Sequence, residues 1–120
     1  MEYVEVKVNN IFLHLNLKGK IMIEQTQILN YLSSNKQDIS QKYNLTKLGI
    51  FGSYARNEQT TESDLDLIVE FEDNTPNLSD KKDFLRAEIG SAFNLQVDVC
   101  REKYIKPIFL QHILIDAIYV

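Results

Sequence analysis

The apolar positions between Lys47 and Phe71 change from a short continuous run to an alternation. The first part, residues 48–51 (LGIF), predicts a strand that is followed at once by Gly52. The second part, residues 64–71 (DLDLIVEF), predicts a strand with one apolar face, because side chains alternate along a strand. Asp64 and Asp66 are therefore expected side by side on the opposite face. The positions expected in a core are Leu65, Leu67, Val69 and Phe71.

A helical pattern precedes this stretch, from Glu24 to Tyr43. Its apolar residues recur at helical spacing in two groups. The polar sequence at residues 33–35 (SSN) separates the groups, so the pattern predicts two helices, the second capped by Ser34 or Asn35.

A turn, a helix and a third strand are predicted after Phe71. Residues 73–77 (DNTPN) are turn-forming, and Ser79 or Asp80 is expected to cap a helix that ends near Phe93. Residues 95–100 (LQVDVC) then alternate again, which predicts a strand.

In this third strand Val97 and Val99 are expected to point inward, which directs Asp98 to the opposite face. Pro107 suits the first turn of a last, heavily apolar helix. His112 in that helix is interpreted as a helix-surface residue. Cys100 shares the face of Asp98 and is interpreted as unreactive packing.

The first 21 residues form a separate β-like segment. Valines alternate with charged residues at 4–8, residues 11–17 form a second run, and Asn9-Asn10 suits a hairpin turn. Two interpretations are open: residues 1–21 are an added edge hairpin, or the natural protein starts at Met22 and they are an upstream extension. In both, residues 22–120 are the domain that carries the chemistry.

Composition fits one soluble domain of 120 residues with 44% hydrophobic residues. The net charge of −4 argues against a nucleic-acid-binding face, which needs clustered Lys and Arg. Cys100 is the only cysteine, which excludes an internal disulfide and suits a reducing cytoplasm. No apolar run approaches the roughly 20 residues of a membrane span, and no signal peptide is visible.

The turn at Gly52-Ser53 and the paired aspartates have the chemistry of a nucleoside-triphosphate site. Gly52 has no Cβ, so a phosphate can approach its backbone closely. Ser53 is expected to open a short helix, where N–H groups favour an anion. Asp64 and Asp66 offer hard oxygen ligands to Mg²⁺, which also binds waters and substrate phosphates. Such a metal site can serve phosphoryl chemistry.

The motif resembles the G-S-x10-D-x-D signature of the minimal nucleotidyltransferases, in the DNA polymerase β superfamily. It consists here of Gly52-Ser53, ten further residues and Asp64-x-Asp66. Within that superfamily the chain resembles the MNT-type antitoxins of HEPN/MNT toxin–antitoxin modules over about residues 24–120. Asn57 stands where family members often have glycine. Asparagine tolerates positive φ well, so the turn is expected to persist.

The resemblance implies an α/β fold, with a small, twisted, mixed sheet and helices packed on one face. The open face carries Asp64 and Asp66, and the third acidic residue of the family's metal site corresponds to Asp98. It also implies two Mg²⁺ ions and ATP as the donor, with Gly52 and Ser53 at the β and γ phosphates.

For Arg56 two interpretations stay open. It lies near the phosphates or a partner protein, or it is a surface arginine paired with Glu58 or Glu62. Relatives often carry arginines in the last helix, whereas this chain has Lys106 there and no arginine, so the role of those arginines does not carry over.

The function implied by the resemblance is transfer of AMP from ATP to a tyrosine hydroxyl of a partner HEPN toxin, without direct nucleic-acid binding. One alternative is a small-molecule nucleotidyltransferase, which normally needs an added helical domain. The other is a non-catalytic antitoxin that only masks its partner, against which the intact set of three aspartates argues.

Overall fold

The alternating stretch lies in a four-stranded mixed sheet of the computed structural model, which describes residues 3–9, 11–16 and 19–120. The order in this sheet is β5-β4-β3-β6, with β3 antiparallel to β4 and β6, and β4 parallel to β5. These strands are β3 (Leu45–Phe51), β4 (Leu65–Phe71), β5 (Val97–Arg101) and β6 (Ile118–Tyr119).

Five α-helices and one 3₁₀ turn (Glu102–Tyr104) accompany the sheet in the described residues. The helices are α1 (Gln25–Ser34), α2 (Lys36–Tyr43), α3 (Gly52–Ala55), α4 (Leu78–Phe93) and α5 (Pro107–Asp116). Helix α4 makes the crossover that two adjacent parallel strands require. The predicted α/β class with a small mixed sheet is confirmed. Within the described ranges no helix is long and apolar enough to cross a membrane.

The core lies between one face of the sheet and helices α1, α2 and α4. It includes the predicted alternating positions of β4, together with Ile28, Leu32, Ile39, Leu85 and Ile89, all of them buried. Burial of this apolar face is the main driving force for the fold. Ile68, which lies between Asp66 and Glu70 on the other face, is also fully buried, so that face is not open along its whole length.

The predicted break in the first helical stretch is confirmed at Asn35, which lies between α1 and α2. Asn35 is the N-cap residue of α2, as predicted, but its side chain makes no capping hydrogen bond. The side-chain amide instead donates to the carbonyl oxygen of Tyr31 at 2.8 Å.

The predicted cap of α4 is wrong, because Ser79 and Asp80 lie inside the first turn. The helix begins at Leu78 after Asn77, whose φ of 54° already turns the chain.

Strand β6 was not predicted from the sequence. It pairs Tyr119 with Gly49 of β3, and a Cβ placed on Gly49 would lie 2.6 Å from the carbonyl oxygen of Ile118. The missing side chain of Gly49 therefore lets the end of the chain approach the sheet.

The predicted hairpin is present as β1 (Tyr3–Val8) and β2 (Ile11–Asn16), which form a two-stranded sheet of their own. Asn9 occupies the turn with a φ of 51°, whereas Asn10 and Leu17 of the predicted segment lie outside the described residues. The end of the hairpin contacts the main domain, since the Asn16 side-chain amide donates to Thr61 Oγ1 at 2.8 Å.

Candidate active site

The carboxyl end of β3 and the amino ends of β4 and β5 meet at one edge of the sheet. Phe51 pairs with Asp66, and Asp66 pairs with Asp98 on the parallel neighbour. Adjacent strands are about 4.8 Å apart, so the two aspartates are neighbours on the face opposite the core. Asp66 is half-buried and Asp98 is exposed.

Gly52 lies against Asp66 because it follows Phe51 directly. Its φ of +72° is in the left-handed region that glycine adopts without strain. A Cβ at this position would overlap the Asp66 carboxylate, 3.2 Å from Cγ and closer still to Oδ2. Only glycine therefore leaves both the turn and the Asp66 carboxylate where they are.

Asp66 lies in surroundings that disfavour its negative charge. Burial and, to a smaller extent, the nearby carboxylates of Asp98 and Asp64 together raise the pKa of Asp66 to about 6, while Arg56 opposes them. Asp64 is exposed and lies directly before β4. None of the ion pairs found among the described residues includes any of the three aspartates.

Arg56 directly follows helix α3 and forms two ion pairs. Its Nε lies 3.1 Å from Glu58 Oε2, and its Nη1 lies 3.9 Å from Asp116 Oδ2 on α5. The surface pairing with Glu58 is thus present, and the guanidinium is also close enough to Asp66 to lower its pKa. The two interpretations of Arg56 are compatible.

The turn around α3 has the predicted form. Ser53 is half-buried in the first turn, and its carbonyl oxygen accepts a hydrogen bond from the Glu58 backbone N–H at 2.9 Å. Asn57 adopts a φ of 57°, which confirms that asparagine replaces glycine here without losing the turn.

The donor set at this edge fits Mg²⁺, which takes oxygen ligands and commonly binds through only one or two carboxylates plus waters and phosphates. Asp66 and Asp98 supply two such carboxylates at paired positions. In the part of the chain that the structure describes, no group of three or more His, Cys, Asp or Glu side chains is arranged to hold a metal ion. The three-aspartate metal site therefore stays a prediction.

A cavity beside this edge was not predicted from the sequence. It has a volume of about 510 Å³ and lies between α3 and α5. Phe51, Gly52 and Arg56 line one side, and His112, Ile113 and Asp116 line the other. The i, i+4 spacing of His112 and Asp116 could have indicated that they share a helix face, but not which element that face meets.

The mixed sheet with paired aspartates at one edge agrees with the expected nucleotidyltransferase class. Residues 32–120 match the family described as nucleotidyltransferase domain, and the chain belongs to this family.

Two relatives in sequence cover most of the chain. A Methanocaldococcus jannaschii protein, named as a candidate protein adenylyltransferase, is 36% identical over 97 residues, which are 79% of this chain and 96% of the relative. The protein adenylyltransferase MntA of Thermococcus cleftensis is 28% identical over 102 residues, which are 82% and 98% of the two chains. The resemblance to the MNT type is confirmed.

Two solved structures share the fold. A candidate minimal nucleotidyltransferase superimposes with a TM-score of 0.67 at 24% identity, over 80% of this chain and 95% of the other. A complex of a tri-AMPylated Shewanella oneidensis HEPN toxin with an MNT antitoxin superimposes with a TM-score of 0.55 at 21% identity, over 79% and 70%. At these identities the likeness establishes the fold alone.

Proposed function

We propose that this chain is an antitoxin that transfers AMP from ATP to a tyrosine hydroxyl of a partner HEPN toxin. The observation that carries the proposal is the pairing of Asp66 with Asp98 beside Gly52, at one edge of the sheet. The names of the sequence relatives, which are protein adenylyltransferases, support a protein substrate.

The nucleotide is held by the turn at the start of α3. Gly52 presents a surface without a side chain, and Ser53 adds a hydroxyl donor, so the β and γ phosphates bind there. Arg56 supplies a positive charge at the end of the same short helix.

Asp64, Asp66 and Asp98 would hold the Mg²⁺ ions, two of them in this proposal. When bound, Mg²⁺ compensates the negative charge of the phosphate oxygens and lowers the barrier to displacement at phosphorus. Without a cation, burial and then the negative charges of Asp98 and Asp64 disfavour ionised Asp66 and raise its pKa.

The transfer is an in-line displacement. The tyrosine hydroxyl oxygen forms a bond to the α phosphorus of ATP, and the bond to the bridging oxygen breaks. Pyrophosphate leaves with that electron pair. The hydroxyl proton passes to the Asp98 carboxylate, which is exposed at the edge of the sheet. The modified toxin is thereby silenced. We place this reaction in the cytoplasm, where a chain with one thiol stays reduced.

The test is transfer of label from α-³²P-ATP to a purified HEPN partner in the presence of Mg²⁺. Wild type should label the partner. The control variant Asp73→Asn should also label it, because Asp73 is an exposed aspartate in a turn away from the site. Asp66→Asn and Asp98→Asn should lower the rate by about 100-fold or more, because each removes a metal ligand. Mass spectrometry should locate one adenylyl group on a tyrosine.

Three results would contradict the proposal. Labelling by Asp66→Asn at the wild-type rate would exclude the carboxylate assignment. Transfer to small hydroxyl compounds, with no transfer to the partner, would identify a small-molecule enzyme. A partner inhibited by binding alone, with no label, would identify a masking antitoxin.

A further inference from the structure

The cavity between α3 and α5 has the properties of a small-molecule site. Its volume of about 510 Å³ lies within the range of about 300–1,000 Å³ that is usual for ligand pockets. Size does not single it out, because a cavity of about 540 Å³ lies between α2 and α4, next to Tyr43 and Phe84. Its position distinguishes it, because the cavity between α3 and α5 includes a residue of the sheet edge that carries Asp66 and Asp98, whereas the cavity between α2 and α4 does not.

Gly52 is the shared residue. It lines the cavity and also lies against the Asp66 carboxylate. A nucleotide with its phosphates at the start of α3 therefore has the cavity within reach of its other end. The cavity and the proposed phosphate site form one continuous surface.

The lining combines apolar and polar groups. Phe51 and Ile113 offer apolar surface for the flat faces of a purine. His112 brings two ring nitrogens that can pair with polar atoms at the edge of the base. The Asp116 carboxylate can accept from ribose hydroxyls, and it already pairs with Arg56 across the cavity at 3.9 Å.

We propose that this cavity binds the adenosine part of ATP, with Ile113 against the base and His112 at its polar edge. The inference rests on the proposed function, since it assumes that the phosphates lie at Gly52. Helix α5 is then a wall of the nucleotide site.

Isothermal titration tests whether the cavity binds adenosine. The full chain is titrated with Mg²⁺-ATP and, separately, with Mg²⁺-tripolyphosphate, without any partner protein. Tripolyphosphate reports the phosphate site alone, so the difference between the ligands isolates adenosine. Ile113→Ala and His112→Ala should weaken ATP binding about five- to tenfold and leave tripolyphosphate within about twofold.

Two neighbours on α5 provide matched controls, because neither lines the cavity. Leu110→Ala removes a half-buried aliphatic side chain like Ile113, and Gln111→Ala removes an exposed polar side chain like His112. Both controls should bind ATP within about twofold of wild type. Equal weakening of ATP and tripolyphosphate by Ile113→Ala would overturn the proposal, since it would show a general defect.

ATP affinity at the wild-type level in both cavity variants would place adenosine elsewhere, while the proposed function would stand. If those variants impaired only transfer to the partner, the cavity would belong to the acceptor and the proposal would be wrong. If wild type bound neither ligand, both the cavity proposal and the proposed function would fail.

Discussion

Asp66 carries a charge that costs the fold stability in the absence of a cation. Burial, Asp98 and Asp64 raise its pKa from 3.8 to about 6, with Arg56 opposing. A raised folded-state pKa means that the native state binds the proton more tightly than the unfolded chain does. Tighter proton binding by Asp66 therefore contributes fully to the free energy of unfolding below about pH 4. This contribution is lost as the pH rises through 6.

Asp66→Asn should consequently stabilise the metal-free protein above pH 6. We expect a gain of about 1 kcal/mol in the free energy of unfolding at pH 7.5, after allowance for solvent screening of a half-exposed group. At pH 4 the gain should disappear. Thermal melts in chelator at both pH values measure this, with Asp73→Asn as control. A gain of the same size at pH 4 would show that charge is not its cause.

Alanine substitutions at Gly52 and Gly19 distinguish two effects: strain in the backbone and displacement of the Asp66 carboxylate. Both glycines have positive φ, +72° and +76°, but a Cβ on Gly19 meets nothing within 4 Å, whereas one on Gly52 meets Asp66. Gly52→Ala and Gly19→Ala should each cost about 1–2 kcal/mol of stability. Only Gly52→Ala should lower nucleotidyl transfer, by about 100-fold. Equal transfer rates in folded samples of both variants would show that Gly52 does not shape the site.

At the scale of elements, the far ends of β4 and β5 are joined by a largely buried ion pair. Glu70 accepts hydrogen bonds from Arg101 Nε at 3.0 Å and Nη2 at 2.7 Å, and from the backbone N–H groups of Phe71 and Lys103. Despite desolvation, these donors lower the pKa of Glu70 below 4.5. The lowered pKa gives stability that is present above about pH 4.5 and lost as the pH falls through the folded-state pKa.

Glu70→Gln should therefore destabilise the protein at pH 7 by about 1–2 kcal/mol, and the difference from wild type should shrink below pH 4. The matched control is Asp83→Asn, because the Arg86–Asp83 pair is as short, 2.6 Å against 2.7 Å, but exposed. That control should change stability by less than about 0.5 kcal/mol. Urea unfolding at pH 7 and pH 3.5 measures all three proteins. A constant Glu70→Gln effect across this range would exclude a charge origin.

Elements with a regular burial pattern were predictable, and those that depend on distant contacts were not. The alternation in β4 reports one core face directly, so Asp66 was placed correctly from Leu65 and Leu67. Helix α5 is as apolar as a core helix, yet none of its residues is buried, and Ile108 is 73% exposed. Sequence pattern could not show this, because burial of a helix depends on which neighbour its faces meet.

At the scale of the whole molecule, residues far apart in sequence hold the loop that leads to Asp64. The Asn16 side chain donates to Thr61 Oγ1 and accepts from the Lys20 backbone N–H at 2.9 Å, while Lys20 Nζ contacts Glu62 at 2.6 Å. The placement of Asp66 and Asp98 at paired positions of β4 and β5 was predictable from local spacing. The hydrogen bond between Asn16 and Thr61 was not predictable, because it joins positions 45 residues apart.

Asn16→Ala should lower the free energy of unfolding by about 1–2 kcal/mol, since Asn16 is only 8% exposed and its loss leaves partners unpaired. Lys20→Ala should have almost no effect, because its partner is an exposed carboxylate. The rate of AMP transfer by Asn16→Ala should be measured below the melting temperature of the variant. It should stay within about threefold of the wild-type rate, because the main sheet holds Gly52, Asp66 and Asp98. If the folded variant loses transfer altogether, the hairpin helps to build the site, and residues 22–120 alone do not define it.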